Sequence, residues 1–174
     1  MNRALELPIL PSRIAVISSP VAAGYEDFIH QILNNPVRYR FELTLFPALM
    51  QGNTAGQSVI DALDAVFEKE GLFDLVVILR GGGSASDLNC FDNYDLASHI
   101  AQFPLPVITG IGHERDRTIA GITAHTDLKT PTAVAGFLLD KFRDQDQRIG
   151  NLISRITAEA FLKLSEKGRL SLRH

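Results

Sequence analysis

The sequence has little cysteine, no long apolar run and no large excess of charge of either sign. One cysteine, Cys90, in 174 residues excludes an internal disulfide and a zinc site built from several thiolates, as suits the cytosol. No apolar stretch approaches the roughly 18 residues that a membrane span needs, and the first residues lack the basic-then-apolar pattern of a signal peptide. The net charge of -3 argues against a domain that holds nucleic acid by bulk electrostatics alone. It argues less against an enzyme, because a catalytic cleft can be locally positive.

What the chain does have is an ordinary globular composition, 45% hydrophobic and 21% charged, and enough length for one good core. Two kinds of apolar segment alternate along it. Short apolar runs predict strands over 13–18, 41–47, 74–79 and 106–111, and helical spacing predicts helices over 25–33, 55–70 and about 92–102. This alternation predicts an α/β fold, doubly wound, with a mainly parallel sheet and helices on both faces. The commonest strand order for such a sheet is 2-1-3-4.

The ends of the chain differ from this pattern. Residues 1–12, with Pro8 and Pro11, predict a linker, residues 13–133 the α/β domain, and residues 134–174 the start of a long helical segment. In that segment Phe142, Ile149 and Ile156 lie seven residues apart. A period of seven favours packing against another helix, although an ordinary C-terminal helix explains the spacing equally well.

Ligands of an open parallel sheet bind at the carboxyl ends of its strands, and three polar clusters fall at such ends. The first is Arg80-Gly81-Gly82-Gly83-Ser84, directly after the strand over 74–79. Glycines let backbone N–H groups approach an oxyanion, and arginine offers a planar fork that matches phosphate. A bare run of glycines favours a plain turn. However, burying an arginine at the end of an apolar strand costs desolvation free energy unless an anion binds it. The segment is not a Walker A loop.

The second cluster lies within 110–118 and contains His113 and Asp116. If a helix begins near Gly112, these two side chains stand on one face. A histidine oriented by a carboxylate is suited to proton transfer near neutral pH, but the same pair could bind a metal, or His113 could cap the helix. Spacing alone leaves the three interpretations equal.

The third cluster follows the first strand, where Ser19 precedes a helix with Asp27 in its predicted first turn. An acidic residue there has a simpler explanation in the helix macrodipole. Another polar loop is predicted at 126–132, where Thr130 and Thr132 flank Pro131 and are by default turn and capping residues.

Taken in order, these motifs resemble the catalytic domain of the exonuclease VII large-subunit family. The resemblance rests on ISSP with Asp27 downstream, RGGGS followed by DL and Phe91, PVI before GHE-x-D-x-TIA, and DLKTPTA. Together they span residues 12 to 138 in the family's order.

The resemblance implies exonucleolytic hydrolysis of single-stranded DNA from either end, giving oligonucleotides with 5′-phosphates. It implies that Asp27, Arg80, His113 and Asp116 are catalytic, and that no cofactor or divalent metal is required. From the chemistry of these loops we infer that Gly81, Gly82, Gly83, Ser84, Ser19, Thr130 and Thr132 bind phosphate or DNA. In the family an OB-type DNA-binding domain precedes this domain, and the long helical segment carries several copies of a small subunit. The chain therefore looks like an excised piece, expected in the cytoplasm and nearly inactive alone.

Several positions depart from the family pattern. Ser86 and Asn89 stand where glutamate and tryptophan are usual, Gly121 replaces an aspartate, Ala133 a second proline, and Val21 and Ala22 a Thr-Gly pair. None is a proposed catalytic residue. Two other functions compete: a small-molecule phosphotransferase, whose glycine turn would normally contain an aspartate that 81–83 lacks, and a non-catalytic phosphate-binding scaffold domain, in which His113 and Asp116 would be dispensable.

Overall fold

The computed structural model describes residues 1–81, 85–111 and 118–171, and the side chains of 85–87 and 165–171 are outside the description. The strands are β1 (Arg13–Ser18), β2 (Glu42–Pro47), β3 (Leu75–Leu79), β4 (Val107–Gly110) and β5 (Thr126–Leu128). The helices are α1 (Ala23–Leu33), α2 (Ala55–Phe67), α3 (Tyr94–Gln102), α4 (Ile119–Thr123) and α5 (Pro131–Ser171). Short 3-10 helices cover Asn2–Ala4, Glu70–Leu72 and Ala85–Phe91.

The five described strands form one parallel sheet in the order β2-β1-β3-β4-β5. β3 is buried at every position and β1 at every position except Arg13, because helices cover both faces of the sheet at its centre. β2 lies at an edge and is partly exposed, in agreement with the alternation at 41–47. The predicted doubly wound fold is confirmed, and the order begins with the common 2-1-3-4.

Each face of the sheet packs against its own helices. Phe28, Ile32 and Leu138 attach α1 and α5 to one face. Leu63 and Ile100 are among the residues that attach α2 and α3 to the other. These two apolar layers hold the strands in place and leave their carboxyl ends open along one edge.

The elements after β3 differ in part from the sequence prediction. Residues 126–132, interpreted as a polar loop, begin with the edge strand β5, and α4 has no predicted counterpart. Only one of the three residues of β5 is apolar and all three are half-buried, so the strand is too short to show an alternation. α3 begins at Tyr94 because the Asn93 side chain caps it, accepting hydrogen bonds from the N–H groups of Asp95 and Leu96 at 2.8 and 3.1 Å.

The first residues contact the domain. The Asn2 side chain is 1% exposed, donates to the carbonyl oxygens of Phe103 and Leu105 at 3.1 and 2.8 Å, and accepts from the Val107 N–H at 2.9 Å. These bonds hold the N-terminal segment at the amino end of β4. The division of the chain into linker, domain and helical segment stays a prediction.

The first part of α5 packs on the domain. The ring of Phe142 lies against Tyr39 and Phe41 with centroid distances of 5.2 and 4.7 Å, and the Tyr39 hydroxyl donates to Asp146 at 2.6 Å. Further along, Ile149 and Ile156 are 52% and 66% exposed. Of the three residues spaced by seven, the first therefore packs within the chain and the other two face outward. None of the helices in the described part of the chain has the length and apolar content needed to cross a membrane.

Candidate functional site

The candidate site lies at the edge of the sheet where β1, β3 and β4 end. Ser19 follows β1, and Arg80 with Gly81 follows β3. The strand ends are tied together: the Arg80 N–H donates to the Gly110 carbonyl at 3.1 Å, and the hydroxyl of buried Ser18 donates to the Leu79 carbonyl at 2.8 Å. The parallel sheet thus brings Ser19 and Arg80 to one edge, although 61 positions separate them in the sequence.

Arg80 is buried at this edge. It is only 5% exposed, and together with Ser19 and Gly81 it lines a cavity of about 370 Å³. Arg80 has further interactions within the protein, as a buried charged residue requires. Electrostatic attraction to an anion is stronger in such a buried position than in water. The cavity wall therefore carries a fixed cation suited to binding phosphate.

Two glycines allow the chain to approach Arg80 closely. A Cβ on Gly81 would lie 2.6 Å from the Gly24 nitrogen and 3.3 Å from the Ala23 nitrogen, so the start of α1 lies directly against the loop after β3. No side chain caps this end of α1, since the capping position is Ala22. The positive end of the helix dipole is therefore presented beside Arg80 and Gly81.

The start of α5 lies at the same point. A Cβ on Gly24 would lie 2.8 Å from the Pro131 ring, which places the first residue of α5 against the first turn of α1. Thr130 caps α5, because its hydroxyl accepts from the Ala133 N–H at 3.1 Å and is 2.9 Å from the Thr132 hydroxyl. The expected capping role is confirmed, and the DNA-binding role of the two threonines stays a prediction.

Asp27 lies farther along α1 than the sequence predicts. α1 begins at Ala23, so Asp27 is its fifth residue and belongs to the second turn, whereas Glu26 is the acidic residue of the first. The prediction of a first-turn position is wrong because the helix starts two residues earlier than its apolar spacing indicates. Asp27 is exposed and stands three residues after Gly24, on the side of α1 that faces Gly81.

The remaining predicted site residues, Gly82, Gly83, Ser84, His113 and Asp116, lie outside the described residues, as does the helix expected to begin near Gly112. Within the described part of the chain, no group of three His, Cys, Asp or Glu side chains is arranged to hold a metal ion. Since that part lacks His113 and Asp116, the absence of a metal requirement stays a prediction.

Sequence reasoning missed part of the cavity wall. Leu49, Met50 and Gln51, which come after β2, line the same cavity as Arg80. They also lie at the carboxyl end of a strand, so the rule that pointed to Arg80 points to them as well. They were overlooked because none of the three is a titratable residue.

Sequence reasoning also missed Asp127, on β5. One of its carboxylate oxygens accepts from the hydroxyl of buried Thr109 on β4 at 2.8 Å. A Cβ on Gly121 would lie 2.6 Å from that oxygen, so the absence of a side chain at 121 makes room for the carboxylate.

Comparison with known proteins gives one consistent family. The family model described as exonuclease VII, large subunit, matches residues 1–173. The exodeoxyribonuclease 7 large subunit of Cyanothece sp. is 38% identical over 153 residues, which cover 85% of this chain and 35% of that protein.

Other relatives carry the same name. The protein from Xylella fastidiosa is 39% identical over 153 residues, covering 86% of this chain and 33% of its own. The protein from Shouchella clausii is 36% identical over 155 residues, which cover 89% of this chain and 33% of that protein. The chain thus spans about a third of the length of the curated relatives it matches.

Proposed function

Since the chain belongs to the exonuclease VII large-subunit family, we propose that it is the hydrolytic part of an exodeoxyribonuclease that degrades single-stranded DNA from either end. The products are oligonucleotides with 5′-phosphates. One observation carries the proposal: buried Arg80 and the backbone of Gly81 meet the starts of α1 and α5 at the carboxyl edge of the sheet. Such an arrangement favours a bound phosphate group.

Arg80 binds the scissile phosphate in this proposal. Its guanidinium and the amides of Gly81, Gly82 and Gly83 contact the non-bridging oxygens, with Ser84 and Ser19 as further donors. Negative charge on these oxygens grows in the transition state, and fixed donors in a site shielded from water stabilise it without reorganisation. The close contact between Gly24 and Gly81 would hold the Gly81 backbone in place for this role.

The proton transfers are assigned to three other residues. A 5′-phosphate product requires that the water oxygen bonds to phosphorus while the bond from phosphorus to the 3′ oxygen breaks. One group must therefore take a proton from water and another must supply a proton to the departing 3′ oxygen. His113 is one of these groups, oriented by Asp116, and Asp27 is its counterpart or positions the water. No cofactor and no divalent metal is needed for this scheme.

The far part of α5 is proposed to bind the small subunit. Beyond Asp146 it exposes an apolar row: Ile149, Leu152, Ile153 and Ile156 range from 52% to 66% exposed. An apolar stripe of this kind on a long helix is suited to packing against partner helices. Most of the binding to single-stranded DNA is expected from the family's OB-type domain, so the isolated chain should be nearly inactive. The expected location is the cytoplasm.

The test joins this region to the OB-type domain and the small subunit and measures degradation of single-stranded DNA with and without EDTA. We expect activity that survives EDTA and is lost in His113→Ala with the fold retained. His99→Ala is the matched control, because His99 is an exposed residue of α3, hydrogen-bonded to the Asp95 carbonyl at 2.7 Å. Full activity in His113→Ala would contradict the acid/base assignment and favour a scaffold role. Loss of activity in EDTA would contradict the metal-free scheme.

A further inference from the structure

The cavity beside Arg80 has a lining of mixed character. Arg80, Gly81 and Ser19 contribute polar groups, where the proposed function expects a phosphate. Val21, together with Leu49 and Met50 of the segment after β2, contributes apolar surface. Val21 and Leu49 are 85% and 57% exposed, whereas Met50 is 6% exposed. The apolar part of the lining therefore combines solvent-exposed side chains with one buried side chain.

We propose that this cavity is a nucleoside subsite, which holds the sugar and base of the nucleotide whose phosphate contacts Arg80. The inference rests on the proposed function and extends it to a part of the substrate for which no residue has been assigned. A volume of about 370 Å³ is near the lower limit for small-molecule sites, so it suits a single nucleotide. A lining that combines a cation with apolar side chains matches a phosphate joined to a sugar and a flat base.

Gln51 makes the subsite tolerant of base identity. It is the one uncharged side chain of the described cavity lining with both a hydrogen-bond donor group and a separate acceptor oxygen. Such an amide can pair with the edge of any base by rotating, so it selects none strongly. The described lining also has no aromatic ring on which a base could stack, and binding should therefore be weak as well as unselective.

The segment after β2 that lines the cavity is preorganised. The Ala48 N–H donates to the Ser18 carbonyl at 3.0 Å, which ties the segment to the end of β1. The Leu49 N–H donates to the hydroxyl of Ser58 at 2.9 Å, which ties it to α2. Because the backbone is already ordered, a nucleotide that binds here loses little affinity to ordering of the wall.

The sequence contains two methionines, Met1 and Met50, which makes a direct test possible. The 174-residue chain is labelled with ¹³C at the methionine methyl groups and titrated with thymidine 5′-monophosphate, thymidine or inorganic phosphate. Met1 is 84% exposed at the opposite end of the sheet and is the internal control. We expect the monophosphate to shift the Met50 signal alone, with an affinity about tenfold or more above that of phosphate. The four deoxynucleoside monophosphates should agree within about threefold.

Leu49→Ala should weaken monophosphate binding by about five- to tenfold, because it removes apolar contact with the base. The matched control is Leu72→Ala, which truncates an equally exposed leucine that is absent from this cavity. The proposed subsite would be overturned if the nucleotide does not shift the Met50 signal, or if phosphate alone shifts it equally. Neither result depends on hydrolysis, so an assembled protein that does not degrade single-stranded DNA, together with a responsive Met50 in the 174-residue chain, would contradict the proposed function and leave the subsite standing.

Discussion

Replacing Gly24 by alanine tests whether the site depends on the contact between the starts of α1 and α5 and the loop after β3. The new Cβ would lie 2.6 Å from the Gly81 Cα, 2.8 Å from the Pro131 ring and 3.0 Å from the Gly81 nitrogen. Ordinary contact begins at 3.4 Å, so α1 and the Gly81 backbone would have to separate by about 0.8 Å. The crowded atoms belong to backbone and to a proline ring, so no flexible side chain can absorb the change.

Overpacking of this kind costs about 1–3 kcal/mol of stability. The effect on catalysis should be larger, because a misplacement of about 1 Å can reduce a rate about 100-fold. We therefore expect Gly24→Ala to fold, with a lower melting temperature, and to lose about 10- to 100-fold in kcat/KM on single-stranded DNA in the assembled protein. Gly71→Ala is the matched control, since a Cβ there meets nothing within 4 Å. A folded Gly24→Ala protein with unchanged activity would refute the view that this contact positions the phosphate site.

Two further predictions concern other parts of the chain. Burial raises the pKa of Asp74, but hydrogen bonds from the Arg13 side chain and from the N–H groups of Arg13 and Ser12 together lower it by more. Asp74→Asn should therefore lower the free energy of unfolding by about 1–2 kcal/mol near pH 7, and this difference should shrink as pH falls through the lowered pKa. Urea unfolding of both proteins at several pH values measures the difference. A difference that stays constant with pH would contradict the linkage. Ile153→Asp should abolish co-purification with the small subunit and change the melting temperature little. The control Asn151→Asp should leave both co-purification and the melting temperature unchanged. Co-purification that survives Ile153→Asp would place the interface elsewhere.

The layered fold could be predicted because its central strands have a recognisable apolar pattern in the sequence. The run from Leu75 to Leu79 is apolar throughout, which only a strand covered on both faces needs over so short a length. β5 gave no such signal, because an edge strand of three half-buried residues neither alternates nor forms an apolar run. Its place is set by pairing with β4, which is a tertiary effect.

The candidate site could be predicted only where a titratable residue or a glycine run marks it. Arg80 and Gly81 were visible for that reason. The partner of Gly81 was not, because Gly24 follows two alanines in a segment typical of a loop or a helix start. The contact joins residues 57 positions apart and depends on how α1 returns over the sheet, which no local pattern encodes.

Gly121 leaves room for the Asp127 carboxylate beside the end of β4. A Cβ at position 121 would lie 2.6 and 2.9 Å from the two oxygens of Asp127. One of these oxygens accepts a hydrogen bond from the Thr109 hydroxyl on β4 at 2.8 Å. A larger side chain at 121 would have to displace the carboxylate and strain that bond. The end of β4 therefore has an adjacent acidic group in this chain, and glycine at 121 is compatible with the proposed chemistry.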